Sequence, residues 1–205
     1  MRGTATNESL KRLQEVANAQ FGFFTTKQAI EAGFGEQHHG YHVQVGNWVR
    51  EHRGIYRLAY YPATERPDLM LWYLWSRNRQ EEPQGVYSHE TALSLFGLSD
   101  ILPARLHMTV PKKFRRSSEI PPILFLHYAD LPEGSTEWAH GVRVTRPLDT
   151  IAGLLRENSI SRDFLQQAMH QGIRRGLFLQ GDLDQPRFDE RTRQMLYELH
   201  QEVSK

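Results

Sequence analysis

Ten histidines and no cysteine bound the chemistry open to this chain of 205 residues. His38 and His42 stand four apart, with His39 between them, a spacing that sets two imidazoles on one helix face. Zinc sites use such pairs, but the HExxH arrangement is absent and no thiolate exists to complete a tetrahedral set. No metal or other cofactor is expected. Ser88-His89-Glu90 offers a nucleophile, a base and an orienting acid in name. A relay of that kind is made by groups converging in space, and three consecutive residues do not hold its geometry. Ser88 is read instead as a helix N-cap. Asp149, in "RPLDT", has the chemistry of a nuclease carboxylate, but no acid–x–lysine cluster accompanies it to hold a metal. It is read as a charge at a helix start. No catalytic residue is assigned, and the chain is not expected to be an enzyme.

What remains are groups that bind rather than react. "GNWVREHRGIYRL" (Gly46–Leu58) places short apolar pieces on either side of Arg50-Glu51-His52-Arg53-Gly54, the pattern of a hairpin with charge at its tip. Arg50, His52 and Arg53 there suit a phosphate or a narrow minor groove. Arg57, on the returning strand, is expected to pair with an acid, and Trp48 and Tyr56 to pack the hairpin down. Upstream, Thr25 and Gln28 have capping-box spacing. Thr25, Thr26 and Lys27 thus open a short helix whose free amides and positive end suit a phosphate. A third helix, about Glu36–Val45, ends at Gly46. In the register chosen, His39, His42 and Val43 face inward, and Gln37, His38, Gly40, Tyr41 and Gln44 face out. Glutamine can hydrogen-bond adenine in bidentate fashion, and Gly40 would let a backbone approach closely. Lys112, Lys113, Arg115 and Arg116 make a second basic patch, suited to flanking DNA, an RNA or an acidic partner, or to a solvated turn.

The elements that must position these groups follow from pattern. The chain is 39% hydrophobic and 24% charged with a net charge of +1, an ordinary globular composition in which any nucleic-acid site must rest on local charge. Residues 103–116 hold five basic residues and no acid, whereas 117–205 hold ten basic and thirteen acidic residues. The start of the chain lacks the apolar core of a signal peptide, and "LMLWYLW" is too short to span a bilayer. A cytoplasmic protein with no membrane partner is expected. A first helix reads from about Asn7, as N-cap, to Gln20, and a helix at Asp68–Arg79 precedes the polar "NRQEEPQG". Beyond it, "RLHMTV", "ILFLHY" and "VRVTR" read as strands, and Pro147–Leu155, Ser161–Arg174 and Phe188–Val203 as helices. The fold class is α+β: a winged helix-turn-helix at 1–60, a helix and linker at 61–83, and a mixed α/β domain at 84–205. In a winged helix the third helix enters the major groove, and the hairpin reaches neighbouring phosphates.

"FTTKQAIEAGF", a helix, and then "GNWVREHRGIYRL" together resemble the N-terminal domain of AbiEi-type antitoxins of type IV toxin–antitoxin systems. The strongest element is Arg53-Gly54-Ile55-Tyr56. "SHETALSLFGLSD" and "VTRPLDTIAGLL" resemble the second domain of such proteins, so the likeness spans roughly residues 8–155. It departs in the third helix, where His39 and His42 stand in place of aliphatic residues. The resemblance implies a DNA-binding autorepressor of its own promoter that counteracts a co-encoded nucleotidyltransferase-like toxin. A small winged helix buries limited surface, so a homodimer or cooperative assembly on DNA is expected. Two other readings stay open: a nuclease or nucleotidyl-handling enzyme targeted by the winged helix, and a winged helix that binds an acidic protein partner.

Overall fold

In the computed structural model, which describes residues 3–117 and 119–204 (side chains from residue 7), the chain divides into two compact units, Met1–Gln84 and Gly85–Lys205. The fold is α+β with two separate sheets. Among the described residues no helix is long and apolar enough to cross a membrane.

The first unit runs α1 (Gly3–Ala19), β1 (Phe23–Thr25), α2 (Thr26–Glu31), a 3₁₀ turn (Glu36–His38) continuing into α3 (His39–Gln44), then β2 (Trp48–His52), β3 (Ile55–Leu58) and α4 (Pro67–Trp75). Asn7 lies inside α1 rather than at its cap, because a nucleated helix runs on through moderate formers until something stops it. The Thr25–Gln28 capping box is present in both directions. Gly33 ends the α2 region at φ +105°, and Gly46 closes α3 at +76°. Helix α4 stops at Trp75, short of Arg79, where the Ser76 hydroxyl donates to the Tyr73 carbonyl and caps its end. The strands form an antiparallel sheet in the order β1-β3-β2, and a bulge between Arg50 and His52 twists the hairpin. Leu13, Ala17, Phe24, Phe34, Trp48, Tyr56 and Leu58 share one core.

The second unit builds a five-stranded sheet from β4 (Val86–Tyr87), β5 (Leu106–Val110), β6 (Leu124–Tyr128), β7 (Thr136–Ala139) and β8 (Val142–Thr145), in the order β6-β5-β4-β8-β7. The pairs β5–β6 and β4–β8 are parallel; β4–β5 and β7–β8 are antiparallel. Helices α5 (His89–Phe96), α6 (Pro147–Glu157), α7 (Arg162–Arg174) and α8 (Glu190–Val203) accompany the sheet. Leu93, Ile151, Leu154, Leu165, Met169, Leu196 and Leu199 form a core between them. Helix α8 begins at Glu190 rather than Phe188, since Asp189 caps it by accepting from the Thr192 amide at 2.8 Å. Phe188 is buried in the core just ahead of that cap.

Candidate nucleic-acid interface

The sequence-read binding groups fall into three sets: exposed, packed away, and consumed by the fold. Helix α3 decides the first two. His39 is buried, donating from Nε2 to the Phe34 carbonyl at 3.0 Å, with its ring edge-on to Trp48 and Tyr56. His42 stacks on Trp48 with centroids 4.5 Å apart and meets Phe34 edge-on. Burial, with the nearby charges of His39 and His38 adding to it, pushes the His42 imidazole below its ordinary range. These two histidines therefore do the work of aromatic core residues, and they glue one side of α3 to the sheet. The opposite side presents Gln37, His38, Gly40, Tyr41 and Gln44 to solvent, with Tyr41 61% exposed. The Gln37 amide folds back over Gly35, where an added Cβ would lie 2.7 Å from it. His38 and His42 share no metal-ligand cluster among the described residues.

At the hairpin, Arg50 and Arg53 are exposed, and no acidic group among the described residues pairs with either. Arg57 is held by Glu51 at 2.7 Å, across the two strands. His52 departs from the expectation of a tip residue. Its ring sits edge-on to Trp72 of α4 at 5.5 Å, and its Nδ1 is buried. The bulge between Arg50 and His52 shifts the strand by a residue, which is why neighbours in sequence part company here.

The start of α2 is not an open phosphate seat. Thr25 is 1% exposed; its hydroxyl accepts from the Gln28 amide and donates to the Glu81 carboxylate at 2.6 Å. The Thr26 amide donates to the Gly54 carbonyl at 3.1 Å. Arg77 donates to that same carbonyl at 3.2 Å and pairs with Glu81 at 3.0 Å. Gly54 sits at φ +73°, where a Cβ would come 3.2 Å from Arg77, so the hairpin turn needs glycine for both conformation and room. A carboxylate and a carbonyl already satisfy the helix's positive end. Of the three residues read there, Lys27 is exposed and Thr26 half-exposed. The segment 61–83, read as helix and linker, is thus fastened to the first unit through Arg77 and Glu81.

The second basic patch is a structured turn after β5. Buried Phe114 anchors it, and Arg115 donates to the carbonyls of Lys112 and Phe114. Lys112 lies 4.0 Å from Asp130 in an exposed pair, and Lys113 is exposed. Arg116 is half-buried. Asp149, in the first turn of α6, makes a bidentate pair with Arg187 at 2.6 and 2.7 Å, the structural role expected of it. Ser88 stands at the N-cap position of α5 but makes no capping bond; its oxygen accepts from Thr109 and contacts His89 Nδ1, both at 2.8 Å.

Sequence reading missed one gathering altogether. His89, His107 and His127, with Glu90 and Glu157, come together in the second unit. The available signal was a histidine in each of "RLHMTV" and "ILFLHY". It becomes informative only once the parallel pairing of those strands is known, and local pattern does not give that pairing.

No family model matches the chain, and no curated protein does. Its fold is similar to that in the crystal structure of the RV2827C protein from Mycobacterium tuberculosis, with a TM-score of 0.51 at 14% sequence identity. The likeness covers 96% of this chain and 78% of that one.

Proposed function

We propose that the protein is a DNA-binding transcriptional regulator whose first unit is a winged helix-turn-helix, and that it acts as an autorepressing antitoxin. The observation that carries the reading is the two-sidedness of α3. Its inward side is fixed by His39 and His42 in an aromatic core, while Tyr41 and Gln44 on the helix, and Gln37 and His38 in the 3₁₀ turn that leads into it, stand outward. Beside it, the β2–β3 hairpin offers Arg50 and Arg53. A polar helix face next to an arginine-bearing ribbon is what major-groove reading with flanking phosphate contact requires. The antitoxin part rests on the sequence resemblance to AbiEi-type proteins, which supplies the co-encoded nucleotidyltransferase-like toxin as functional partner; the cytoplasm is taken as its setting. The reading is non-enzymatic, and it takes a dimer or cooperative copies on DNA as the binding form.

Mobility shifts with the chain's own upstream DNA test it across a salt series. Binding should weaken steeply with salt, and Arg50→Ala with Arg53→Ala should lower affinity for every sequence alike. Two lost phosphate contacts should also flatten the salt slope by roughly 0.9 per contact. Gln37→Ala should instead alter preference at one base position, by about 1–3 kcal/mol. Equal affinity for random and upstream DNA at every salt concentration would overturn the regulator reading. Co-expression with the neighbouring toxin from an unrelated promoter tests the antitoxin part: the full chain should restore growth, and failure to do so removes that part alone.

A further inference from the structure

Three histidines converge in the second unit from different elements. His107 on β5 and His127 on β6 lie on neighbouring parallel strands, with Thr109 opposite His127 and His107 opposite Phe125. That register puts the two imidazoles two positions apart on one sheet face. His89 opens α5 at φ +54°, a left-handed conformation that residues with a Cβ seldom adopt and that clusters at functional sites. Its ring lies flat on that of His127, centroids 3.5 Å apart and 7° from parallel. Glu157, the last residue of α6, brings both carboxylate oxygens within 3.1 Å of His89 Nε2.

Proton accounting shows where each imidazole carries its hydrogen. The Thr109 hydroxyl donates to Ser88 Oγ, leaving the Ser88 hydrogen for His89 Nδ1; His89 then carries its own proton on Nε2, toward Glu157. His107 Nδ1 lies 2.8 Å from Glu90 Oε2 and 3.0 Å from His127 Nε2. A carboxylate only accepts, so His107 Nδ1 bears a hydrogen and His127 Nε2 meets it with a lone pair. Glu90 Oε2 is buried and has no hydrogen-bond donor in good alignment.

We propose that His89, His127 and Glu157 form a binding site for a divalent transition-metal ion of the zinc type. One ligand atom from each of the three lies within 4.8 Å of the other two. A tetrahedral zinc site with bonds of about 2.0–2.1 Å has ligand edges of roughly 3.3 Å, so the set closes by about an ångström or so, and because an ion lies in the plane of each imidazole that binds it, the His127 ring must also turn out of its stack on His89. Glu157, 48% exposed at a helix end, and half-buried His127 on β6 supply that movement, while His89 is held at 10%. Two imidazoles and one carboxylate are a donor set that zinc accepts, and three protein ligands leave a position open. All three ligands line a cavity of about 230 Å³, together with Thr109, Thr145, Thr150 and Arg156. An ion at His127 would free the His107 N–H to turn onto Glu90, giving the buried carboxylate oxygen its donor and a second layer of support. Binding at His89 Nε2 shifts that ring's hydrogen to Nδ1, where Ser88 Oγ turns to accept it.

The test uses the full chain, carrying an affinity tag without histidine and stripped with a chelator. Zn²⁺ titration by calorimetry should show one saturable site, and Co²⁺ should give visible d–d absorption of low coordination number. His127→Ala and Glu157→Gln should each weaken Zn²⁺ by at least about tenfold and change the cobalt spectrum. A double variant, His38→Gln with His42→Gln, should leave both readouts unchanged. Circular dichroism checks each fold; Glu157→Gln, on a half-exposed side chain, carries the test if His127→Ala does not fold. The proposal is overturned by the absence of saturable Zn²⁺ binding in the full chain. It is equally overturned by binding that survives Glu157→Gln at full strength, or that disappears only in the His38/His42 variant.

Discussion

The histidines of the two units were put to opposite uses. In the first, His39 and His42 are surrounded by Phe34, Trp48 and Tyr56, and they serve as flat apolar rings that seat α3. In the second, His89, His107 and His127 are surrounded by one another and by Glu90 and Glu157. Among aromatics an imidazole contributes packing and a single hydrogen bond. Among carboxylates and other imidazoles its nitrogens pair with acids and with one another. Spacing along the chain pointed the other way: His38, His39 and His42 are neighbours in sequence, while His89, His107 and His127 are dispersed over thirty-eight positions. What neighbours a side chain in space, rather than in sequence, fixes its chemistry.

The comparison is broken most forcefully at Trp48. It is 3% exposed and touches both His39 and His42 as well as Phe24 and Phe34. Trp48→Ala should destabilise the first unit by about 3–5 kcal/mol, the usual cost of removing a large aromatic from a core. DNA binding should be lost with it, because α3 loses its seat. Urea unfolding followed by circular dichroism measures the change; a shift under about 1 kcal/mol would show that the aromatic cage does not hold the unit.

In the second unit the matching test is Asp149. Its carboxylate, 8% exposed, grips Arg187, whose side chain is 19% exposed. Asp149→Ala leaves a mostly buried guanidinium without its partner and should cost about 3 kcal/mol. The paired carboxylate holds the Arg187 guanidinium above its ordinary range, an agreement between charge and geometry. Loss of stability in the double variant Asp149→Ala with Arg187→Met should be smaller than in Asp149→Ala alone, because no orphan charge remains. An equal or larger loss in the double variant would mean that packing, not the ion pair, is what the two residues supply.

How far the sequence carried differs between the units for the same physical reason. The Thr25–Gln28 box, the glycines at 33, 46 and 54, and the inward side of α3 are local features, readable from spacing within a turn or two. Glu81 closing on Thr25, and His52 turning to Trp72, depend on segments brought back from a distance, and neither leaves a local mark. Strands β1, β4 and β7 span two to four residues, below the length at which alternation is visible. The histidine cluster needs the parallel β5–β6 register and a crossover of thirteen residues, Pro111–Ile123, before its members meet. Ser88-His89 stands out for its residue types, but the acidic neighbour of His89 in space is Glu157 rather than the Glu90 beside it in sequence.

Acid separates the two histidine environments by degree. His127 is lowered to about 4 by burial first and then by the His89 and His107 charges; His42 is lowered mainly by burial. A folded-state value below that of the unfolded chain means that the unfolded state binds more protons in the interval between them. Stability therefore rises with pH through that interval and is lost as pH falls from about 6.5 toward 4. Proton NMR titration of the histidine rings should show His127 unprotonated until well below pH 5. His127→Gln should make the acid side of the stability profile shallower. A titration midpoint near 6.5 for His127 would mean that its ring is solvated and that the cluster is not formed in solution.

The smallest effect is the most telling for the DNA-reading face. Gly40 lies in α3 with no heavy atom within 4 Å of where a Cβ would stand, and its φ is not in the left-handed region. Glycine in a helix interior costs about 1 kcal/mol relative to alanine, so Gly40→Ala should stabilise the first unit by up to that amount. Stability alone gives no reason for glycine there. If the backbone of α3 approaches DNA at this point, the added methyl group meets the duplex, and operator affinity falls although the fold is firmer. The two measurements, urea midpoint and mobility shift, should therefore move in opposite directions. A variant that gains stability and keeps full operator affinity would place the contact elsewhere along the helix, at Gln37 or Gln44, and would leave Gly40 as an unused gap in the exposed face.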